Sequence, residues 1–246
     1  MEDIRQIQNR FTELAERSEK QNIWTESDFL SMAEQDILLS MHYSVQVNLT
    51  GGYENAERRI AVFGSEEDIG YSYTSPIQCI CIKPAIQKFA DQLTHRDILG
   101  ALMSLGFDRK ATGDILITEN IGYLFCLENI ADYIIRNLTS VRHTTVRVSR
   151  CEPPETFSAP PKSISINVAS ERLDALIAAV YKLGRTAAKE LITSERVYIN
   201  SRLSSNAGVS VPENSIISVR GYGRFRYEGM LKTTRKGRLS VQVSVY

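Results

Sequence analysis

Apolar residues recur at helical spacing from the start of the chain. In DIRQIQNRFTELAERSEKQ the positions Ile4, Ile7, Phe11 and Leu14 fall on one face, which predicts an amphipathic helix. A second helix is expected through DFLSMAEQDILLSMH, with Thr25 or Ser27 as its cap. YSVQVNLTGGYENAERRIAVFG then alternates as two strands around a Gly-Gly turn region. Beyond residue 75 the pattern orders itself as strand IQCICIKPA, helix HRDILGALMSLGF, strands GDILIT and IGYLFCLE, helix IADYIIRNLTSV and strand TTVRVSR. This βαββαβ order predicts a ferredoxin-like module of the kind many RNA-binding domains use.

After residue 151 the pattern changes. CEPPETFSAPP holds four of the seven prolines, which predicts a semi-rigid spacer over 152–163. Next come a short strand, a helix capped by Ser170 with Leu173, Leu176, Ile177 and Val180 on one face, and a stop at Gly184. A second short helix, RTAAKELIT, follows, and then strands RVYIN, IISVRGYGRFRYEG and RLSVQVSVY. The expected organisation is α+β: a mixed α/β segment over 1–75, a ferredoxin-like (RRM-like) domain over 76–151, the linker, and a third domain over 164–246.

Composition sharpens this. The 246 residues suffice for two or three cores, and the formal net charge is zero. That balance hides a split: Glu171 to Tyr246 carries 13 Lys+Arg against 6 Asp+Glu, and the preceding residues carry 16 against 23. A basic module joined to an acidic remainder points to a polyanion partner for the basic end. No apolar run reaches membrane-spanning length and the start lacks a signal-peptide pattern, so the expected compartment is the cytoplasm and no membrane partner is expected. Four cysteines without a CxxC pair argue against metal or redox use, and no cofactor is implied.

Candidate chemistry concentrates in the basic module. Arg185 and Lys189 are four apart, share a helix face opposite Leu191 and Ile192, and lie towards the helix N-terminus, an arrangement suited to phosphate. A solvated face is the alternative reading. VRGYGRFRYEG, read as one extended strand, places Arg220, Tyr222, Arg224 and Arg226 on one side and Phe225 and Tyr227 on the other. That row of cations with a ring suits phosphates and a stacked base; a solvated hairpin is the alternative reading. In the middle domain Gly122, Tyr123 and Phe125 match part of the RNA-recognition consensus, but Ile121, Leu124 and Glu128 depart from it, and packing within the sheet accounts for the rings equally well.

The third segment resembles the small alpha-L RNA-binding domain first seen in ribosomal small-subunit protein S-four. The resemblance rests on Arg172-Leu173-Asp174, Gly184-Arg185, Lys189, Leu191-Ile192 and Val197-Tyr198-Ile199-Asn200, although Gly184 stands where serine is usual and Ser201 where glycine is common. GGYENAERRIAV, LTHRDILGALMSLGFDRKATGDILI and RGYGRF together resemble the YlmH-type family of bacterial RNA-binding proteins along nearly the whole chain. That resemblance implies a non-enzymatic protein that binds ribosomal RNA on the large ribosomal subunit, with peptidyl-tRNA as a further partner, in rescue of obstructed large subunits. It ranks Arg172, Arg185, Lys189 and Arg196 as phosphate contacts, followed by Asn200 and Arg202. His95, Arg96, Arg109 and Lys110 make a second candidate RNA patch, with a cap or surface role as the alternative for His95, and Arg58 and Arg59 beside Glu57 fit a salt-bridged strand end equally well.

Enzyme readings fit less well. The Arg-Leu-Asp at 172–174 also occurs around the catalytic aspartate of pseudouridine synthases, but too little chain follows Asp174 for their catalytic sheet. Neither a GxGxxG loop nor a G-x-S-x-G elbow is present, so no catalytic residue is assigned. The alternative from another class is a protein-interaction adaptor in cell division or ribosome assembly. Oligomeric state is not encoded in any of these patterns.

Overall fold

The computed structural model describes residues 4–157, 161–200, 202–235 and 237–246. It is an α+β protein whose sheets are antiparallel throughout, and its contacts divide into two compact units, 1–159 and 160–246.

The first unit opens with α1 (Ile4–Gln21), β1 (Thr25–Glu26), α2 (Met32–Leu39), β2 (Val47–Thr50), β3 (Ile60–Phe63) and a single turn, α3 (Glu66–Ile69). Ile7 and Phe11 of α1 are buried against Leu38 and Phe63, while Ile4 at the helix start is exposed. The expected caps of α2 have other tasks. Thr25 Oγ1 donates to the Leu14 carbonyl, and Ser27 Oγ accepts from the Ala61 amide. Both residues bind a neighbouring element, so the helix starts later, at Ser31, through a capping box with Glu34.

The rest of this unit comprises β4 (Ile77–Pro84), α4 (His95–Ser104), β5 (Thr112–Thr118), β6 (Ile121–Leu127), α5 (Glu128–Asn137), β7 (Ser140–Val141) and β8 (Thr144–Arg150). The strand order is β5-β6-β4-β8-β7. Ile80, Ile82, Leu124 and Val146 bury one face of this sheet against Ile98 and Leu102 of α4 and Ala131 and Ile134 of α5.

Residues 1–75 and 76–151 are tied by a buried polar network. Asp114 accepts from the Tyr53 hydroxyl at 2.7 Å and from the Glu57 and Arg58 amides at 2.7 and 3.1 Å. The Arg58 guanidinium donates to the carbonyls of Phe29, Arg109 and Thr112. Arg109 donates to the Thr112 and Gly113 carbonyls and to Thr112 Oγ1. Burial lowers the pKa of Arg58, and burial together with the Arg58 charge lowers that of Arg109 to about 10, so both remain cations at neutral pH. Arg58 thus ties segments together and does not form the surface ion pair expected of a strand end.

The second unit runs through β9 (Lys162–Val168), α6 (Leu173–Val180), α7 (Arg185–Thr193), β10 (Val197–Ile199), β11 (Arg202–Leu203), β12 (Ser215–Val219), β13 (Gly223–Thr233) and β14 (Leu239–Val245). Its sheet order is β11-β10-β12-β13-β14-β9, and Ile217, Phe225, Tyr227, Val241 and Val243 bury one face against α6 and α7. Two boundaries differ from the sequence reading. Arg172, not Ser170, occupies the N-cap of α6, and the Leu173 and Asp174 amides donate to the Val209 and Ala207 carbonyls, so a docked loop satisfies the helix start. The helix ends before Gly184, with Lys182 at φ 53°, and Gly184 caps the start of α7.

IISVRGYGRFRYEG is not one extended strand but takes the alternative form, a hairpin. Val219 pairs with Gly223 around the tip Arg220-Gly221-Tyr222, and Gly221 and Gly223 hold φ values of 87° and 113° that β-carbon-bearing residues rarely adopt.

Replacing Asp114 with Ala strands three donors in a nearly dry site. The expected loss of stability is about 3 kcal/mol, with increased hydrogen exchange over residues 51–58. A change in urea denaturation under about 0.5 kcal/mol would show that the network does not join the two segments.

Candidate nucleic-acid interface

The expected phosphate contacts in the second unit fall into two groups on opposite sides of its sheet. On the helical side the organising residue is Asp174, in the first turn of α6 and with no exposed surface. Arg185 Nη2 donates to both its oxygens at 2.9 and 2.8 Å, and Arg172 Nε and Nη2 approach them at 3.2 and 3.3 Å. Burial alone raises an aspartate's pKa; here the two arginines outweigh it and hold the carboxyl below its usual range. Both guanidiniums stay about half exposed, at 44% and 49% for the side chains, so they are fixed from behind and open in front. Lys189 lies exposed one helical turn beyond Arg185 on α7. Asp174 itself presents no surface to a substrate, which fits its structural role and not that of a nucleophile.

The second group lies on the sheet face turned away from the helices. Register places Tyr198, Ser218 and Arg224 in one row, and Ile216, Arg226, Ser244 and Ser163 in the next. The Arg220 guanidinium stacks 5.0 Å from the Tyr198 ring centroid; Arg224 and Arg226 lie 4.5 and 5.9 Å from that of Tyr246. Tyr222 leaves this row. The hairpin tip turns it to the helical side, where its ring meets Tyr181 at 5.3 Å. Tyr198, part of the motif shared with the alpha-L domain, and Tyr246 carry no contact role in the sequence reading, because only the strand register shows that they stand beside the arginines.

The remaining expected residues divide between structure and surface. Arg196 Nη2 donates to the Arg220 carbonyl at 2.7 Å, and the Arg220 amide donates back to the Arg196 carbonyl, joining β10 to the hairpin tip. Asn200 takes a left-handed φ of 46° and exchanges hydrogen bonds with Ile216, which makes it a turn residue. Arg202 is exposed on the two-residue edge strand β11.

In the first unit the second patch is reduced. Arg109 is turned inward onto carbonyls. His95 is exposed at the first position of α4, and partial burial of its ring, aided by the Arg109 charge, lowers its pKa. Arg96 is exposed and Lys110 half-buried. The rings on the open face of this sheet are covered by the protein itself. Phe125, 1% exposed, stacks on Tyr53 with centroids 4.7 Å apart, and Tyr123 meets Phe157 edge-on at 5.2 Å. Gly52, at φ 88°, allows this approach, since a β-carbon there would stand 2.8 Å from the Phe125 ring. On the same face Cys79 and Cys151 face each other with their sulfurs 3.7 Å apart.

Because the Asp174 pKa is depressed by folding, its contribution to stability is complete above the unfolded-state pKa and is lost as pH falls through the folded-state value. The urea midpoint of the second unit should therefore drop in acid below the usual aspartate range, and Asp174→Asn should flatten that dependence. Parallel pH profiles for the two proteins would refute the assignment.

Residues 77–155, which include the open sheet face of the first unit, match the family model described as "Putative RNA-binding domain in YlmH". Across 220 residues the chain is 29% identical to "Ribosome-associated protein quality control protein P2" of Bacillus subtilis (strain 168), covering 87% of this chain and 84% of that protein. Its fold is similar to that of "Cell division protein ylmH from Streptococcus pneumoniae", with a TM-score of 0.50 at 18% identity over 62% of this chain and 92% of the other. These matches agree with the three sequence motifs: the chain is similar to YlmH-type proteins, and its residues 77–155 carry the match to their RNA-binding domain.

Proposed function

We propose that the chain is a non-enzymatic RNA-binding protein acting on the ribosome, where it binds large-subunit ribosomal RNA and peptidyl-tRNA during rescue of obstructed large subunits. The observation that carries this reading is the Asp174 clamp. It fixes two half-exposed guanidiniums, Arg172 and Arg185, beside the exposed Lys189 at the start of α7. Guanidiniums fixed before binding lose little side-chain entropy when a phosphate arrives. The name of the Bacillus subtilis relative supports the ribosomal setting, and the matched family model supports RNA as the ligand.

The same reading gives the two folds their sense. A β-α-β-β-α-β unit whose sheet runs second-third-first-fourth supports a ferredoxin-like assignment for the first unit's larger sheet. The paired helices α6 and α7 with the strands that follow support an alpha-L assignment for the second unit. In this scheme the second unit grips RNA through phosphates and shape, with Arg220, Arg224 and Arg226 forming a further cationic surface. The first unit's covered rings orient the protein and do not read bases.

Engagement of about five phosphates gives a log–log salt slope of about −4. Arg185→Ala combined with Lys189→Ala should weaken binding to large subunits at every salt concentration and make the slope shallower by about 1.5; because Arg185→Ala also opens the Asp174 clamp, Lys189→Ala alone, which leaves the clamp intact, should shift the slope by about 0.8 with circular dichroism unchanged. Unaltered cosedimentation with large subunits would remove these residues from the interface.

A further inference from the structure

Between α6 and the edge strand β9 of the second unit lies an open groove of about 410 Å³. Its α6 wall is formed by Ala175, Ala178 and Ala179, spaced so that all three share one helix face, and Leu183 closes one end. Two cations, Arg185 and Arg238, line it, and no acidic residue does so among the described residues. Each guanidinium is anchored on one side by the protein. Arg185 is held by Asp174, and Arg238 Nη2 donates to the Asn167 carbonyl of β9 at 3.0 Å. The backbone of Arg238 is also fixed, since it closes a tight turn with Thr234 through bonds in both directions.

We propose that this groove binds one unpaired nucleotide of a structured RNA, with its phosphate between Arg185 and Arg238 and its base or ribose against the alanine wall. The proposal rests on the RNA-binding reading above and adds to it a site and a new contact residue, Arg238. Charge complementarity selects the occupant: two guanidiniums anchored from behind, one by the buried Asp174 and one by the Asn167 carbonyl, face a groove that no acidic residue lines among the described residues, which favours a phosphate. The apolar wall adds a requirement for a flat or weakly polar moiety attached to that phosphate. The volume falls within the range of about 300–1,000 Å³ typical of small-ligand sites. A paired nucleotide cannot enter, because its base is stacked inside the helix, whereas loops and bulges present splayed-out bases. The RNA selected is therefore one with an extruded nucleotide next to a helical stem.

The test uses the full chain and two RNA hairpins with the same stem, one fully paired and one carrying a single bulged nucleotide. Affinities are read by fluorescence anisotropy at fixed salt for the wild type, Ala179→Phe and Arg238→Ala. The wild type should prefer the bulged hairpin by about tenfold, the scale of one base-stacking contact. Ala179→Phe fills the groove and should abolish that preference while leaving the paired hairpin's affinity unchanged. Arg238→Ala, a surface change that cannot disturb the core, should weaken the bulged complex more than the paired one. Adenosine 5′-monophosphate should shift the Arg238 Nε and Ala179 methyl resonances in nuclear magnetic resonance spectra.

Equal affinity of the wild type for both hairpins, or a preference that survives both substitutions, overturns the groove and leaves the general RNA-binding reading intact. Absence of binding to either hairpin, with the nucleotide shifts still present, supports the groove and removes the RNA reading. A peptide ending in a free carboxylate that shifts these resonances where the nucleotide does not would overturn the choice of occupant.

Discussion

A carboxylate without exposed surface must be compensated or it will not remain ionised, and in the second unit that constraint falls on Asp174. Arg172 and Arg185 compensate it, and in doing so they fix the relation between the start of α6 and the start of α7. The loop that supplies the Val209 and Ala207 carbonyls to the same helix end is drawn into the arrangement. One buried charge therefore sets the geometry of two helices and a loop, and leaves two cations facing outward. The groove beside α6 inherits its Arg185 from this clamp.

The first unit applies the same rule to a different end. Asp114 is also nearly buried, but its partners are a hydroxyl and two backbone amides, and the nearby Arg58 and Arg109 turn to carbonyls. Here the cations are consumed in joining segments and little charge reaches the surface. Two buried aspartates thus have opposite consequences, and the difference lies in whether the arginines bind the carboxylate with their outer sides left open or are enclosed by main-chain acceptors.

Much of the fold was legible because it rests on short-range periodicity. The βαββαβ order and the extent of RTAAKELIT as α7 follow from apolar spacing alone, and the structure places them where that spacing does. Features that depend on distant partners were not legible. Ser27 resembles a cap until the Ala61 amide arrives from 34 residues away, and Ser170 resembles one until the loop at 207–209 takes over the helix end. The inward turn of Arg109 could not be read from a sequence in which it stands beside Lys110 like any exposed cation. The hairpin in VRGYGRFRYEG was closer to legible: Gly221 and Gly223 flanking one residue signal a reversal as readily as a flexible strand. Arg238 lay within an unremarked basic run, KTTRKGR, whose charge was countable but whose orientation towards β9 depends on strand pairing.

Each large sheet has one face sealed by two helices, so the other face decides what the sheet is for. In the first unit that face carries the rings of Tyr123 and Phe125, yet Phe157 and Tyr53 already occupy the positions where bases would stack. Displacing them would expose apolar area and release Tyr53 from Asp114, so base stacking there competes with contacts that hold the unit together. In the second unit the corresponding face carries the rings of Tyr198 and Tyr246 against arginines. There the Arg220 guanidinium lies over the Tyr198 ring, a placement that leaves a guanidinium's charge and in-plane donor geometry suited to phosphate. The balance of formal charge along the whole chain obscures this contrast. What distinguishes the two units is the excess of cations over acids in the second and where each fold directs the arginines nearest its buried aspartate.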